Sequence, residues 1–210
     1  MNDNYYKDLW NNPNTEAGQF FNKVDFNHKD YKDQEQVFRN FLKGLKAIKA
    51  LYEEQKPIET VLEVGAGTGR ITKIVLQELT SIEKYYIMDI KSPIKQLLDL
   101  FPRHIEVGIG EHDITGKEFD LLFNNRQFDL IVASEVFMHI KPDDIESVLK
   151  GLTSLLAPQG LIINIDWYYQ PEPSTWCYIH DYEKIYREEN GLHPVFEFSI
   201  NKQKLFCYGK

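Results

Sequence analysis

The stretch Val61-Leu62-Glu63-Val64-Gly65-Ala66-Gly67-Thr68-Gly69-Arg70 constrains the fold of this chain more than any other. Val61 to Val64 reads as a short buried strand, with an acid, Glu63, near its end. Glycine then takes every second position. Ile71, Ile74, Val75 and Leu79 follow at i, i+3, i+4 and i+8, the spacing of one helix face. Strand, glycine turn and helix open a nucleotide-binding βα unit. Glycines permit positive φ and let a ligand come close to the backbone. The helix start turns free N–H groups and a partial positive charge into the same space.

The spacing of the glycines bears on which nucleotide fits. The dinucleotide fingerprint is G-x-G-x-x-G. Gly65 and Gly67 match it, but Arg70 holds the third position and glycine comes one residue early, at Gly69. A large side chain at 70 opposes the close helix–strand packing that a third glycine serves.

The rest of the chain supplies a sheet around this turn. Residues 35–54 carry apolar side chains at helical spacing (Val37, Phe38, Phe41, Leu42, Leu45, Ile48, Leu51, Tyr52), and Pro57 ends that helix. Lys84 to Asp89 reads as the second strand. Asp89 lies near the ~20-residue gap at which a ribose-binding carboxylate is expected. A carboxylate accepts hydrogen bonds from both ribose hydroxyls, whereas a strand-end Asp also serves as a simple turn residue. Ser92-Pro93 opens a short helix from Ile94 to Leu100, and His104 to Val107 reads as the third strand, followed by a loop through Gly108 and Gly110 to Asp113-Ile114. His104 and His112 read as surface or packing residues.

Phe128 onward, in F-D-L-I-V-A-S-E-V-F-M-H-I, is the fourth strand and the segment beyond its carboxyl end. Ligands of open α/β sheets bind outside the carboxyl ends of strands, so Ser134 to His139 are expected to share a crevice with Gly65 and Asp89. Pro142, Asp143 and Asp144 suit a helix start. Its apolar stripe runs to Leu156, and Ala157 to Gly160 reads as the turn before the fifth strand, Leu161 to Ile165. Tyr178 to Glu189 reads as a helix stopped at Asn190-Gly191. Val195 to Ile200 and Lys204 to Tyr208 form a β-hairpin about Asn201-Lys202-Gln203.

Together E-x-G-x-G-x-G, the segment around Ser134, the phrase L-L-A-P-Q-G-L-I-I-N-I and the final hairpin resemble the class I S-adenosylmethionine (SAM) dependent methyltransferases of small-molecule type. The resemblance spans residues 58–167 by motif and the rest by topology. It implies an α/β, Rossmann-like fold: a seven-stranded, mostly parallel sheet with an antiparallel C-terminal hairpin and helices on both faces. It implies SAM as cofactor, with Glu63, Gly65, Gly67, Gly69, Asp89, Ile90, Asp113, Ile114 and Ser134 as the binding set. Asp113 would take the adenine amino group, although a plain turn Asp reads the same way.

The implied activity is methyl transfer to an oxygen or nitrogen of a small molecule such as a sugar, a nucleotide-linked intermediate or a secondary metabolite. His139 is the candidate general base, since imidazole titrates near neutral pH, and His180 is the second candidate. Each also reads as a structural histidine. Two other functions stay open: an NAD(P)-dependent oxidoreductase, disfavoured by Arg70 and the hairpin, and a SAM-binding protein without catalysis. Residues 1–56 are expected to be an N-terminal arm and helix that pack on the body or cover the cleft, and 57–210 the core, with acceptor elements in 167–192. Aromatic residues at both ends of the chain suit a sulfonium or an amine, since ring faces attract cations.

A net charge of −8 argues against a broad nucleic-acid surface. No N/D-P-P-Y/F-type amine motif follows the fourth strand. No His/Cys/carboxylate spacing suggests a metal site. No run of about 18 apolar residues suggests a membrane span. MNDNYYKDLW lacks the apolar core of a signal peptide, and Cys177 and Cys207 form no C-x-x-C pair, so a cytoplasmic protein is expected.

Overall fold

The computed structural model describes residues 12, 14, 32–53, 56–90, 94–116, 122–124, 126–168, 176–200 and 202–210. The N-terminal aromatics from Tyr5 to Phe26, and the turn containing Pro171 and Pro173, lie outside them. Among the described residues seven strands form one sheet in the order β3-β2-β1-β4-β5-β7-β6. They are β1 (Thr60–Val64), β2 (Lys84–Asp89), β3 (Glu106–Glu111), β4 (Phe128–Ser134), β5 (Leu156–Trp167), β6 (His193–Ile200) and β7 (Gln203–Gly209). The first five are parallel, and β7 runs antiparallel to both neighbours, β5 and β6. The Rossmann-like sheet with its C-terminal hairpin is as the sequence implies. The order reverses between β1 and β4, the switch point where such sheets open a crevice at the strands' carboxyl ends.

Alternation along the strands builds two cores. Leu62 and Val64 of β1, with Tyr86 and Met88 of β2, face α4 (Pro142–Ser154) and its stripe of Ile145, Val148, Leu149 and Leu152. Val61, Tyr85 and Ile87 face the other way, against α1 (Lys32–Ile48) and α2 (Arg70–Glu78). Val37, Phe41, Leu45 and Ile48 of α1 are at most 2% exposed, so this helix is an integral layer of the second core. Among the described residues no helix is long and apolar enough to cross a membrane.

Several boundaries differ from the sequence reading. α1 spans 32–48 and widens into a π-helical turn over Lys49–Glu53. The helix α3 is Ile94–Leu98. The third strand starts at Glu106 and continues through Gly108 and Gly110, where a loop was expected. The Tyr86 ring explains this: a Cβ on Gly108, its register partner, would lie 2.6 Å from Tyr86 Cδ1. Glycine here makes room for an aromatic neighbour across the ladder and does not mark a turn. The fifth strand begins at Leu156, and Ala157 to Gly160 form an irregularity within it, with a shift of register between Phe128 and Leu130. The helix expected over 178–189 begins later. Residues 176–181 run as a strap without regular secondary structure, Asp181 caps Lys184 N–H at 3.0 Å, and α5 (Tyr182–Lys184) passes into a π-helical turn over Ile185–Glu189.

Candidate cofactor and acceptor site

A cleft of about 370 Å³ opens at the carboxyl ends of the parallel strands. Its walls include Gly65 and Gly67 after β1, Asp89 and Ile90 after β2, Asp113 and Ile114 after β3, and Ser134 and His139 after β4. Eight of the residues singled out from sequence therefore meet in one space.

The glycine turn is shaped by two different demands. Gly65 (φ +71) has Val136 against it, so a Cβ there would lie 2.4 Å from Val136 Cγ2. Gly67 (φ +54) has no atom within 4 Å of its would-be Cβ. Its N–H donates to Asp89 Oδ2 at 2.8 Å, tying the first loop to the second. Asp113 Oδ1 accepts from both the N–H and the hydroxyl of Thr115, at 2.9 and 2.7 Å. Asp113 is thus a turn residue whose turn also forms cleft wall.

Three expected site residues lie elsewhere. Glu63 is 1% exposed and points to the α2 face, where Thr72 Oγ1 and Tyr85 OH both donate to its Oε2 at 2.7 Å. Burial pushes its carboxyl up to about 7, against those hydrogen bonds. Alternation decides the direction, because Glu63 shares a side with Val61 and not with Val64. Gly69 is the left-handed residue before α2 (φ +81), and a Cβ on it would lie 2.5 Å from Leu100 Cδ1 and 2.6 Å from Leu97 Cδ2. The helix-packing duty of a third glycine is met there, one position early, and Arg70 is left to turn its guanidinium over the Phe38 ring, 4.6 Å from the centroid. His180 does not line the cleft. Its Nε2 lies 3.0 Å from the Phe137 carbonyl, which fastens the strap to the turn Phe137–His139, and burial lowers its pKa.

His139 is held from behind. Its Nδ1 lies 3.0 Å from the Trp176 carbonyl and 3.5 Å from Cys177 Sγ. A carbonyl only accepts, so Nδ1 carries the proton and Nε2 is the basic nitrogen of this tautomer. The imidazole stacks on the Trp176 indole, centroids 5.1 Å apart and planes within 2°. Burial lowers its pKa to about 4, with the Trp176 carbonyl acting in the opposite sense. The ring is neutral at physiological pH, the state a proton acceptor needs, and is a weak base.

Behind the same turn lies buried Asp166, 0% exposed. Its Oδ1 accepts from Met138 N–H at 3.2 Å and its Oδ2 from Asn164 Nδ2 at 2.7 Å, while Tyr186 OH donates to Asn164 Oδ1 at 3.0 Å. Burial raises the Asp166 carboxyl to about 7. Sequence reasoning missed Asp166 and the cleft residue Phe38, and it placed Glu135 in the expected crevice stretch without singling it out. Phe38 reads as one more member of an apolar stripe, and Asp166 as an ordinary acid after a strand. Glu135 carries no sequence signal that separates it from its neighbours.

Residues 62–162 match a family model described as a methyltransferase domain. A malonyl-[acyl-carrier protein] O-methyltransferase of Chlorobium luteolum is 30% identical over 134 residues, 63% of this chain and 49% of that protein. The chain thus spans about half the length of that relative. Among solved structures, the N-methyltransferase NodS of Bradyrhizobium japonicum with S-adenosylhomocysteine superposes with a TM-score of 0.67 at 15% identity, covering 91% of this chain and 96% of that one. Magnesium protoporphyrin IX methyltransferase of Synechocystis with S-adenosylhomocysteine gives 0.69 at 12% identity, covering both chains fully at 100%. Residues 62–162 thus carry a methyltransferase domain, and the sheet order and glycine turn are those of the fold that the class I SAM-dependent methyltransferases share.

Proposed function

We propose that this chain transfers the methyl group of SAM to an oxygen or nitrogen of a small-molecule acceptor. The observation that carries the reading is the convergence of the loops after β1, β2 and β3 on one cleft, with Gly67 N–H bonded to the Asp89 carboxylate across it. The residues fit an adenosine-bearing cofactor. The open space over Gly67 admits the methionine end against bare backbone. Asp89 would hold the ribose hydroxyls, and Asp113 the adenine amino group. Ile90 and Ile114 would flank the ring. Backbone at Ser134 would take the methionine amino group.

When bound, the cofactor supplies a methyl group already activated on a sulfonium. The chain's own work is then to align the acceptor and exclude water. The apolar wall of Val136, Met138, Ile140 and Trp167 serves exclusion. His139, fixed as the Nδ1–H tautomer, would receive a proton from the acceptor on Nε2. Trp167, Trp176 and Cys177 support the assignment of acceptor elements to 167–192. The relative named as an O-methyltransferase supports an oxygen acceptor and the fold neighbour named as an N-methyltransferase a nitrogen one. A cytoplasmic setting belongs to this reading, and both cysteines are buried and stand outside any disulfide among the described residues.

Calorimetric titration tests it. S-adenosylhomocysteine is expected to bind one site, and Asp89→Ala to weaken that binding about 10- to 100-fold, the worth of hydrogen bonds to a charged group. Binding of NAD in place of S-adenosylhomocysteine would overturn the proposal. Release of S-adenosylhomocysteine from SAM with a metabolite extract then separates an enzyme from a SAM-binding protein.

A further inference from the structure

Glu135 occupies an unusual backbone position at the end of β4. Its φ is +56, and among the described residues only Asn124 and Gln159 share a positive φ without being glycine; neither lines the cleft. The left-handed conformation costs a side chain with a Cβ about 1 kcal/mol, and such strain concentrates at working sites. Glu135 N–H donates to the Ile165 carbonyl at 2.8 Å, closing the end of β4 onto β5. Gln203 Nε2 donates to Glu135 Oε1 at 2.9 Å. Gln203 is in turn the cross-strand partner of Trp167.

Sheet order turns these contacts into a direction. β7 lies two strands beyond β4, on the side away from β1. The carboxylate is therefore held over β5 and β7 beside Trp167, across the cleft from Gly67 and Asp89. Trp176, stacked on His139, completes the same wall. We propose that Glu135, Trp167 and Trp176 form the recognition site for an acceptor that carries a protonated amine.

This rests on the methyltransferase reading and supplies its acceptor class. A fixed carboxylate gives an ammonium group a charge-assisted hydrogen bond. Indole faces add cation–π attraction in a partly desolvated wall. The neutral imidazole of His139 adds no opposing charge. An acceptor with a carboxylate at this position meets repulsion from Glu135.

The test uses the full chain saturated with S-adenosylhomocysteine and three matched probes: phenethylamine, 2-phenylethanol and phenylacetate. Binding is read from tryptophan fluorescence, since two of the chain's 3 tryptophans line the cleft. The amine is expected to bind about tenfold tighter than the alcohol, as a hydrogen bond to a charged group predicts, and the acid weakest. Glu135→Gln keeps an oxygen for Gln203 to donate to. It is expected to erase the difference between amine and alcohol while leaving S-adenosylhomocysteine affinity unchanged. Equal or undetectable amine binding, or a preference that survives E135Q, overturns the proposal. Weakened S-adenosylhomocysteine binding in E135Q would move Glu135 to the cofactor side and overturn it as well. Absence of S-adenosylhomocysteine binding by the unsubstituted chain sinks the methyltransferase reading, and this proposal with it.

Discussion

Two glycines of the same turn show how differently a single residue type can be used. Gly65 is confined by protein, with the Val136 side chain against it, and Gly67 faces open space. Both have positive φ, so alanine strains either by about 1–2 kcal/mol. Gly65→Ala adds a clash and is expected to lower stability by about 2–3 kcal/mol as well as cofactor affinity. Gly67→Ala is expected to cost about 1 kcal/mol of stability and to reduce S-adenosylhomocysteine affinity at least about tenfold, because its methyl group enters the ligand's space. Paired urea melts and calorimetry separate the two. His139 gives a second expectation at this scale. With its pKa lowered to about 4, the acid limb of kcat at saturating SAM should lie well below the usual histidine value. A limb near 6.5 that disappears in His139→Gln would show a more exposed imidazole than this packing allows. Near-full turnover of His139→Ala with saturating SAM would remove the base role.

At the level of elements, the turn Phe137–His139 is held by three contacts from two elements, β5 and the strap. Asp166 at the end of β5 takes Met138 N–H, the strap donates Tyr178 N–H to the Met138 carbonyl at 2.7 Å, and His180 engages the Phe137 carbonyl. Asp166→Ala leaves the Met138 N–H and the Asn164 amide without their buried acceptor. Each such orphan costs about 1–3 kcal/mol, so a loss of about 2–4 kcal/mol is expected in chemical denaturation. Tyr182 OH, buried near that carboxyl with no hydrogen bond of standard geometry among the described residues, makes the region less tolerant still. The strap therefore reads as a structural brace for the base candidate. His180 fastens that turn, which agrees with the structural reading the sequence offered beside the catalytic one.

Across the whole molecule, two buried carboxyls set a pH dependence. Glu63 and Asp166 have folded pKa values raised to about 7, above those of the unfolded chain, mainly through burial. Between about pH 4.5 and 7 the native state holds protons that the unfolded state has released. Stability from these groups is fully present below that window and declines as pH rises through it. Asp129 acts in the opposite sense at lower pH: Thr60 and Lys56 hold its carboxyl below the usual value despite burial, so its contribution is lost on acidification. Urea midpoints are expected to fall from pH 5 to pH 7.5, and Glu63→Gln to flatten that fall. An unchanged slope in the variant would show that Glu63 is already ionised in its niche of Thr72 and Tyr85.

The sequence by itself determined the elements, because strand alternation, helical periodicity and glycine spacing are local properties that survive without knowledge of neighbours, and the resemblance carried by its motifs implied how those elements are arranged. It also marked which strand ends carry cleft-facing residues. Tertiary structure alone decided how those ends meet: that Gly67 bonds Asp89, that Gly69 packs on Leu97 and Leu100, and that Gly108 is ladder and not loop because Tyr86 needs the room. It also decided which acids face the cleft. Glu63 and Asp166 turned inward while Glu135 turned to the cleft, and nothing in residue type distinguishes the three. The side of a strand and the identity of a neighbour, not the carboxylate itself, determine whether it braces the fold or meets a substrate.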